Sequence, residues 1–269
     1  MNRQELVQLI RERKSYLCIG LDTDIHKIPK HLLSHPDPIF AFNKAIIDAT
    51  KDICVAYKIN TAFYECQGIR GWESLQRTVE YIPKEIFTIA DAKRGDIGNT
   101  STYYAKTFYE TYGFDSVTVA PYMGRDSVEP FLAFSEKWAI VLGLTSNEGS
   151  RDVQQLQLDG GGFVYEQVMK TTASWGTPDN MMFVVGATKA DVVADIRRLL
   201  PDHFFLVPGV GAQGGSLKEI SEKGMNKEVG LLVNASRAVI YAGNDEKFAE
   251  DARAVALQYQ AEMAQYITL

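Results

Sequence analysis

The densest run of reactive side chains is Asp91-Ala92-Lys93-Arg94-Gly95-Asp96-Ile97-Gly98-Asn99-Thr100. It follows a short apolar run, Phe87–Ala90. Asp91 and Lys93 are two residues apart, so at a strand end both point to one side. Buried there, they must be paired, because a lone buried ion loses its hydration. Such a group can deliver a proton or stabilise a developing charge. A solvated turn with a local ion pair accounts for the same residues.

Two further places hold charge at the end of an apolar run. CVAYKIN places Lys58 near the end of a buried strand, and Asp22 lies in Gly20-Leu21-Asp22-Thr23-Asp24. A lysine at a strand exit ordinarily snorkels to water. Facing inward in a barrel, its ammonium would instead reach Asp91. Alone, Asp22 reads as a cap or a metal ligand. Late in the chain come two loops, Pro208-Gly209-Val210-Gly211-Ala212-Gln213-Gly214-Gly215 and Asn234-Ala235-Ser236-Arg237. Glycines let backbone N–H groups approach an anion, and an arginine adds a bidentate contact. Gly-rich turns also simply turn.

Other chemistries fit poorly. The four histidines have neither HxxxH nor HExxH spacing and read as solvated loop residues. No GxSxG elbow or GxxxxGK[ST] loop occurs. GVGAQGG comes too late for a dinucleotide fingerprint, and no acidic residue closes a following strand.

The elements that must position these residues alternate along the chain. Apolar runs of strand length are Tyr16–Leu21, Cys54–Ile59, Phe87–Ala90, Ser116–Ala120, Ala139–Leu144, Met181–Val185, Phe204–Val207 and Gly230–Val233. Helical spacing marks Ile39–Lys51, Trp72–Tyr81, Ser127–Phe134, Val164–Lys170, Asp191–Leu200 and Asp245–Gln265, the last with Asp245 as its cap. Eight strands alternating with helices predict a (β/α)8 TIM barrel, with an open doubly wound sheet as the competing architecture. Nearly every apolar run ends in charged or small polar residues. The C-terminal strand ends are where barrels build active sites, and the loops after strands seven and eight are their usual phosphate site. Residues 1–269 are expected to form one barrel domain with a short N-terminal helix and a long C-terminal one.

With 269 residues, 46% hydrophobic and 23% charged, the chain has the balance of a globular protein, not of a disordered or collagen-like one. A net charge of −6 disfavours a broad nucleic-acid face, since phosphate neutralisation needs clustered Lys and Arg. No apolar run approaches the ~18 residues of a membrane span. The start, MNRQELVQLIRERK, lacks the apolar core of a secretory signal. Cys18, Cys54 and Cys66 adjoin apolar runs without CxxC spacing and read as buried free thiols of a reducing, cytoplasmic setting.

DAKRGDIGNT resembles the DxKxxD motif of orotidine 5′-phosphate decarboxylases of the longer bacterial type. GLDTD, YKIN, LTSN, PGVGAQGG and SRAVIY follow the family's order and span residues 20 to 241. DxKxxD alone is shared with related sugar-phosphate enzymes. The resemblance implies a (β/α)8 barrel that converts orotidine 5′-monophosphate to UMP and CO2 in de novo pyrimidine biosynthesis, without metal or organic cofactor. It implies a charged tetrad of Lys58, Asp91, Lys93 and Asp96, with Lys93 as proton donor. By the same analogy the protein is a homodimer, with Asp96 and Thr100 serving the neighbouring site. Asp22 and Lys58 would hold the ribose, Ser146 the pyrimidine, and Pro208 would wall the base. Gln213, Ser236 and Arg237 would bind phosphate, with Gly209–Gly215 closing over the ligand. The stretch Glu148–Gly162 is longer than in compact members and receives no role. The rivals are a Mg²⁺-dependent sugar-phosphate enzyme on the same scaffold and a barrel that binds a phosphate ligand without turnover.

Overall fold

Short runs of Val, Ile, Leu and Phe without a polar face need cover on both sides, which a parallel sheet flanked by helices supplies. The computed structural model, which describes residues 1–186, 190–210 and 215–267, has that arrangement. Its strands are β1 (Leu17–Gly20), β2 (Ala56–Asn60), β3 (Phe87–Arg94), β4 (Ser116–Val119), β5 (Trp138–Leu144), β6 (Met181–Val185), β7 (Phe204–Pro208) and β8 (Leu231–Ala235). All pair in parallel in chain order, and β8 returns to β1 to close the barrel. The open sheet is thereby excluded.

Strand ends differ from the expected ones by up to four residues, most at β3. That strand runs beyond Ala90 to Arg94. Its charged residues remain paired because Asn60 stands opposite Asp91 on β2 and Val119 opposite Arg94 on β4.

The helices Pro38–Thr50, Ile69–Tyr81, Arg125–Leu132, Val164–Ala173 and Ala190–Leu199 lie close to the expected spans. Two further helices of more than one turn, Gly98–Lys106 and Leu217–Gly224, carry no apolar spacing that marks them in the sequence. The first buries only Ser101 and Ala105, so it carries no large apolar stripe to read. The second is eight residues long and is capped by Ser216, whose side chain accepts from the Glu219 N–H. The last helix begins at Phe248, not Asp245. The Asp245 carboxylate instead accepts the Lys247 N–H at 2.7 Å in the preceding turn, and Phe248 stacks on Phe42.

The N-terminal helix, Arg3–Arg13, starts with an Asn2/Glu5 capping box and closes the barrel floor. Arg3 donates to the carbonyls of Pro178 and Asp202, which precede β6 and β7. Two assignments need correction. Cys66 is exposed, because it ends the one-turn helix Ala62–Glu65 rather than a strand. His203 is buried where it enters β7, unlike the exposed His26, His31 and His35. Among the described residues no helix is long and apolar enough to cross a membrane.

Candidate active site

Charged side chains at four strand ends meet over the C-terminal mouth of the barrel. Lys58, the middle residue of β2, is 4% exposed. Its ammonium donates to Asp22 Oδ1 beyond β1 and to Asp91 Oδ2 on β3, each at 3.1 Å. Lys93 Nζ donates to the other Asp91 oxygen at 2.5 Å. Beyond β8, Ser236 Oγ donates to Asp22 Oδ2 at 2.8 Å. The result is a continuous alternation of hydroxyl, carboxylate, ammonium, carboxylate and ammonium, in which each buried charge has an opposite neighbour.

The electrostatics follow from this order. Burial pushes the Asp91 carboxyl up, but the Lys58 and Lys93 ammoniums and their hydrogen bonds outweigh it and bring it down to about 2. Burial pushes Lys58 down, yet Asp22 and Asp91 outweigh it and leave its ammonium above the usual lysine value. Both groups are therefore ionised at neutral pH. Lys93 differs in access: its side chain is 50% exposed against 11% for Asp91, so it faces the cleft.

The two-residue spacing of Asp91 and Lys93 acts differently from a regular strand. Ala90 pairs with Val117 and Arg94 with Val119, so three residues of β3 stand opposite Thr118 alone. This bulge takes Lys93 to φ +48°, the left-handed region that a lysine seldom occupies. Lys93 meets Asp91 through that turn rather than through strand alternation.

The charged row forms one wall of a cleft of about 340 Å³. Leu142, Val184 and Leu206 give it an apolar floor, and Asn60, Ser146, Asn147, Pro208, Asn234 and Arg237 add polar groups and the rim. Ser146 sits against Gly186, where a β-carbon would come within 3.0 Å of its backbone Cα and side-chain Cβ. The stretch Glu148–Gly162 supports the same loop. Its Gln154 Oε1 accepts the Thr145 N–H at 2.8 Å, next to Ser146.

Of the expected site residues, Asp22, Lys58, Asp91, Lys93, Ser146, Pro208, Ser236 and Arg237 line this cleft. Among the described residues, Asp96 and Thr100 do not. Asp96 turns its carboxylate to the Ile97 N–H at 2.7 Å, and Thr100 is exposed on the helix Gly98–Lys106. Gln213 lies outside the described residues, as do the other central residues of the Gly209–Gly215 loop. Sequence reasoning missed Asn60, Asn147 and Asn234, which line the cleft, and Thr118, which lies behind it against Asp91. Asn60 and Asn234 stand within motifs already noted, YKIN and NASR. Thr118 carried only a weak signal, a hydroxyl in the middle of an apolar strand.

Comparison with known proteins agrees with this geometry. The sequence profile described as Orotidine 5′-phosphate decarboxylase / HUMPS family matches residues 15–252. The chain belongs to this orotidine 5′-phosphate decarboxylase family. It is similar to the orotidine 5′-phosphate decarboxylase of Flavobacterium johnsoniae, at 60% identity over 270 residues, 99% of this chain and 98% of that one. The decarboxylase of Bacteroides fragilis is 56% identical over 270 residues, with the same coverage. Among solved structures, the Leishmania donovani OMP decarboxylase matches with a TM-score of 0.86 at 33% identity, covering 99% of each chain. The activity is accordingly that of a carboxy-lyase, orotidine 5′-phosphate decarboxylase.

Proposed function

We propose that this cleft decarboxylates orotidine 5′-monophosphate with Lys93 as the proton donor. The observation that carries the reading is the Asp91 carboxylate held between a buried lysine and an accessible one. The C6–carboxylate bond breaks with its electron pair left on C6. CO2 departs, and a proton passes from Lys93 Nζ to C6 to give UMP. Solvent returns the proton to the amine, so the balance is substrate plus one proton to UMP plus CO2.

A vinylic carbanion has little resonance help, so the protein must stabilise it electrostatically. An ammonium facing C6 gains interaction as negative charge localises there, which is the differential binding that raises kcat. Asp91 would lie beside the departing carboxylate and disfavour its ground state. Asp22 and Lys58 would hold the ribose hydroxyls, Ser146 and Pro208 the base, and Ser236, Arg237 and Gln213 the phosphate. No cofactor is invoked: Lys58 and Lys93 already occupy both Asp91 oxygens, where a Mg²⁺-dependent sugar-phosphate enzyme would place its metal.

The working unit is proposed to be a homodimer within the cytoplasm, taking part in UMP biosynthesis, with residues 1–269 as one barrel domain. Exposed apolar side chains favour a second copy near Asp96 and Thr100. Ile97, Tyr103 and Met123 are 59%, 63% and 46% exposed, and Tyr122 is 91% exposed. Each site would then receive Asp96 and Thr100 from its neighbour, completing the tetrad with Lys58, Asp91 and Lys93.

The test is to add orotidine 5′-monophosphate to EDTA-treated protein and follow the ultraviolet change from orotate to uracil together with CO2. Turnover is expected in wild type and not in Lys93→Ala, which should still bind UMP. UMP binding without CO2 from wild type would overturn the reading in favour of a binding protein. Activity restored only by Mg²⁺ would favour the sugar-phosphate chemistry.

A further inference from the structure

We infer that Thr118 is a positioning residue for the proton donor: its hydroxyl pins the bulge that turns Lys93 onto Asp91. The inference rests on the role proposed for Lys93. Thr118 is fully buried at the centre of β4 and, among the described residues, does not line the cleft. It faces three residues of β3 by itself, because the pairing steps from Ala90–Val117 directly to Arg94–Val119.

A bulge of this size takes backbone groups away from the ladder, and buried N–H groups require a partner. The Lys93 N–H finds it in Thr118 Oγ1 at 2.8 Å. The hydroxyl then donates onward to Asp91 Oδ1, 3.1 Å away and nearer than the Ala90 carbonyl at 3.5 Å. Lys93 Nζ donates to the same Asp91 oxygen. These contacts close a ring: Lys93 main chain, Thr118 hydroxyl, Asp91 carboxylate and Lys93 ammonium.

The ring explains why a lysine sits at φ +48°. A side chain with a β-carbon avoids that region unless its surroundings hold it there. Glycine would enter it freely but supply no ammonium. The hydroxyl also outlasts the proton transfer. When Lys93 gives up its proton its hold on Asp91 weakens, while the Thr118 donor keeps the carboxylate oxygen in place. A merely space-filling residue would meet none of these needs, and valine fills the same space.

Thr118→Val and Thr118→Ser separate the two roles. T118V is expected to lower kcat about ten-fold or more, the usual consequence of losing a hydrogen bond to a charged group. KM and UMP affinity should stay within about two-fold, since Thr118 touches no ligand. T118S, which keeps the hydroxyl, should recover most of kcat. A ligand-free crystal structure of T118V should show Lys93 away from positive φ. Thr118→Ala gives the same readings if T118V fails to fold. The inference is overturned by wild-type kcat in T118V, or by equal losses of kcat and UMP affinity that T118S does not restore. Lys93 retaining positive φ and its Asp91 contact in T118V or T118A would overturn it too. Absence of turnover in the wild type would defeat the decarboxylase reading alone, and the Lys93 conformation in the variant would still decide this one.

Discussion

Gly20 and Ser236 touch across the seam that closes the barrel, where β1 pairs with β8, and a β-carbon on Gly20 would overlap Ser236 Oγ. The glycine is thus required by space. It lets Ser236 reach Asp22, whose other oxygen holds Lys58. Gly20→Ala should push Ser236 away and loosen the Asp22 end of the charged row. We expect KM for orotidine 5′-monophosphate to rise about ten-fold, the scale of one hydrogen bond to a charged group. Steady-state kinetics would check this, and an unchanged KM would mean that Ser236 makes no demand on Gly20.

Lys58 is the buried cation between two carboxylates. Lys58→Met would leave Asp22 and Asp91 facing each other without it, at a cost of about 3–5 kcal/mol. The pH dependence has a definite sign. In wild type the Asp91 pKa is depressed to about 2, so its contribution is complete above the unfolded value near 4 and is lost as pH falls toward 2. Removing Lys58 takes away the first of the opposing charges, so the destabilisation should be largest at neutral pH and shrink below about pH 4. Urea denaturation of both proteins from pH 3.5 to 7 measures it, and a pH-independent gap would contradict the charge argument.

Arg237 follows β8 on the rim of the cleft and is exposed, as a residue awaiting an anionic ligand should be. Arg237→Ala is expected to reduce kcat/KM for orotidine 5′-monophosphate by roughly 30- to 100-fold, as for a lost charge-assisted pair. Orotidine, which lacks the phosphate, should lose much less. Equal losses on both substrates would remove the phosphate role.

Asp96 and Thr100 lie off the cleft of their own chain, which makes complementation a direct assay of sharing. Lys93→Ala and Asp96→Ala should each be inactive as purified proteins. Random hybrid dimers should regain about a quarter of wild-type activity, because half the dimers are hybrid and one of their two sites is intact. A mixture that stays inactive after subunit exchange would place Asp96 outside the neighbouring site.

His203 stands near Arg3 and Arg197, and its buried ring nitrogens have no hydrogen-bond partner among the described residues. Burial, then Arg3 and Arg197, push its pKa down to about 4. The unfolded chain takes up this proton near pH 6.5 and the folded one does not, so His203 costs stability as pH falls from about 6.5 toward 4. His203→Leu should therefore stabilise the protein, with a gain that grows by about 1–2 kcal/mol between pH 7 and pH 5. Thermal melts across that range would show it, and a gain that does not change with pH would mean the imidazole titrates normally.

Much of the architecture was legible because burial on both faces leaves its mark on composition. A parallel barrel strand must be apolar almost throughout, so all eight announced themselves as short runs. Their polar ends located Asp22, Lys58, Asp91 and Arg237 by position alone. The helix Gly98–Lys106 escaped because its buried face is Ser101 and Ala105, which carry no hydrophobic period. Cys66 was misplaced because an apolar neighbourhood along the chain says little about a one-turn helix at the surface.

Sequence by itself determined the alternation of strands and helices, the side of the barrel on which charge would gather, and the motifs that mark the decarboxylase family. Those are local properties, written in residue type and order. Tertiary structure alone decided that Asp91 divides its oxygens between Lys58 and Lys93, that Gly20 makes room for Ser236, and that Thr118 underlies the bulge at Lys93. Each of these joins different strands, or a strand to itself through a break in register. Such distances are fixed only when eight strands close and their side chains compete for the same small space.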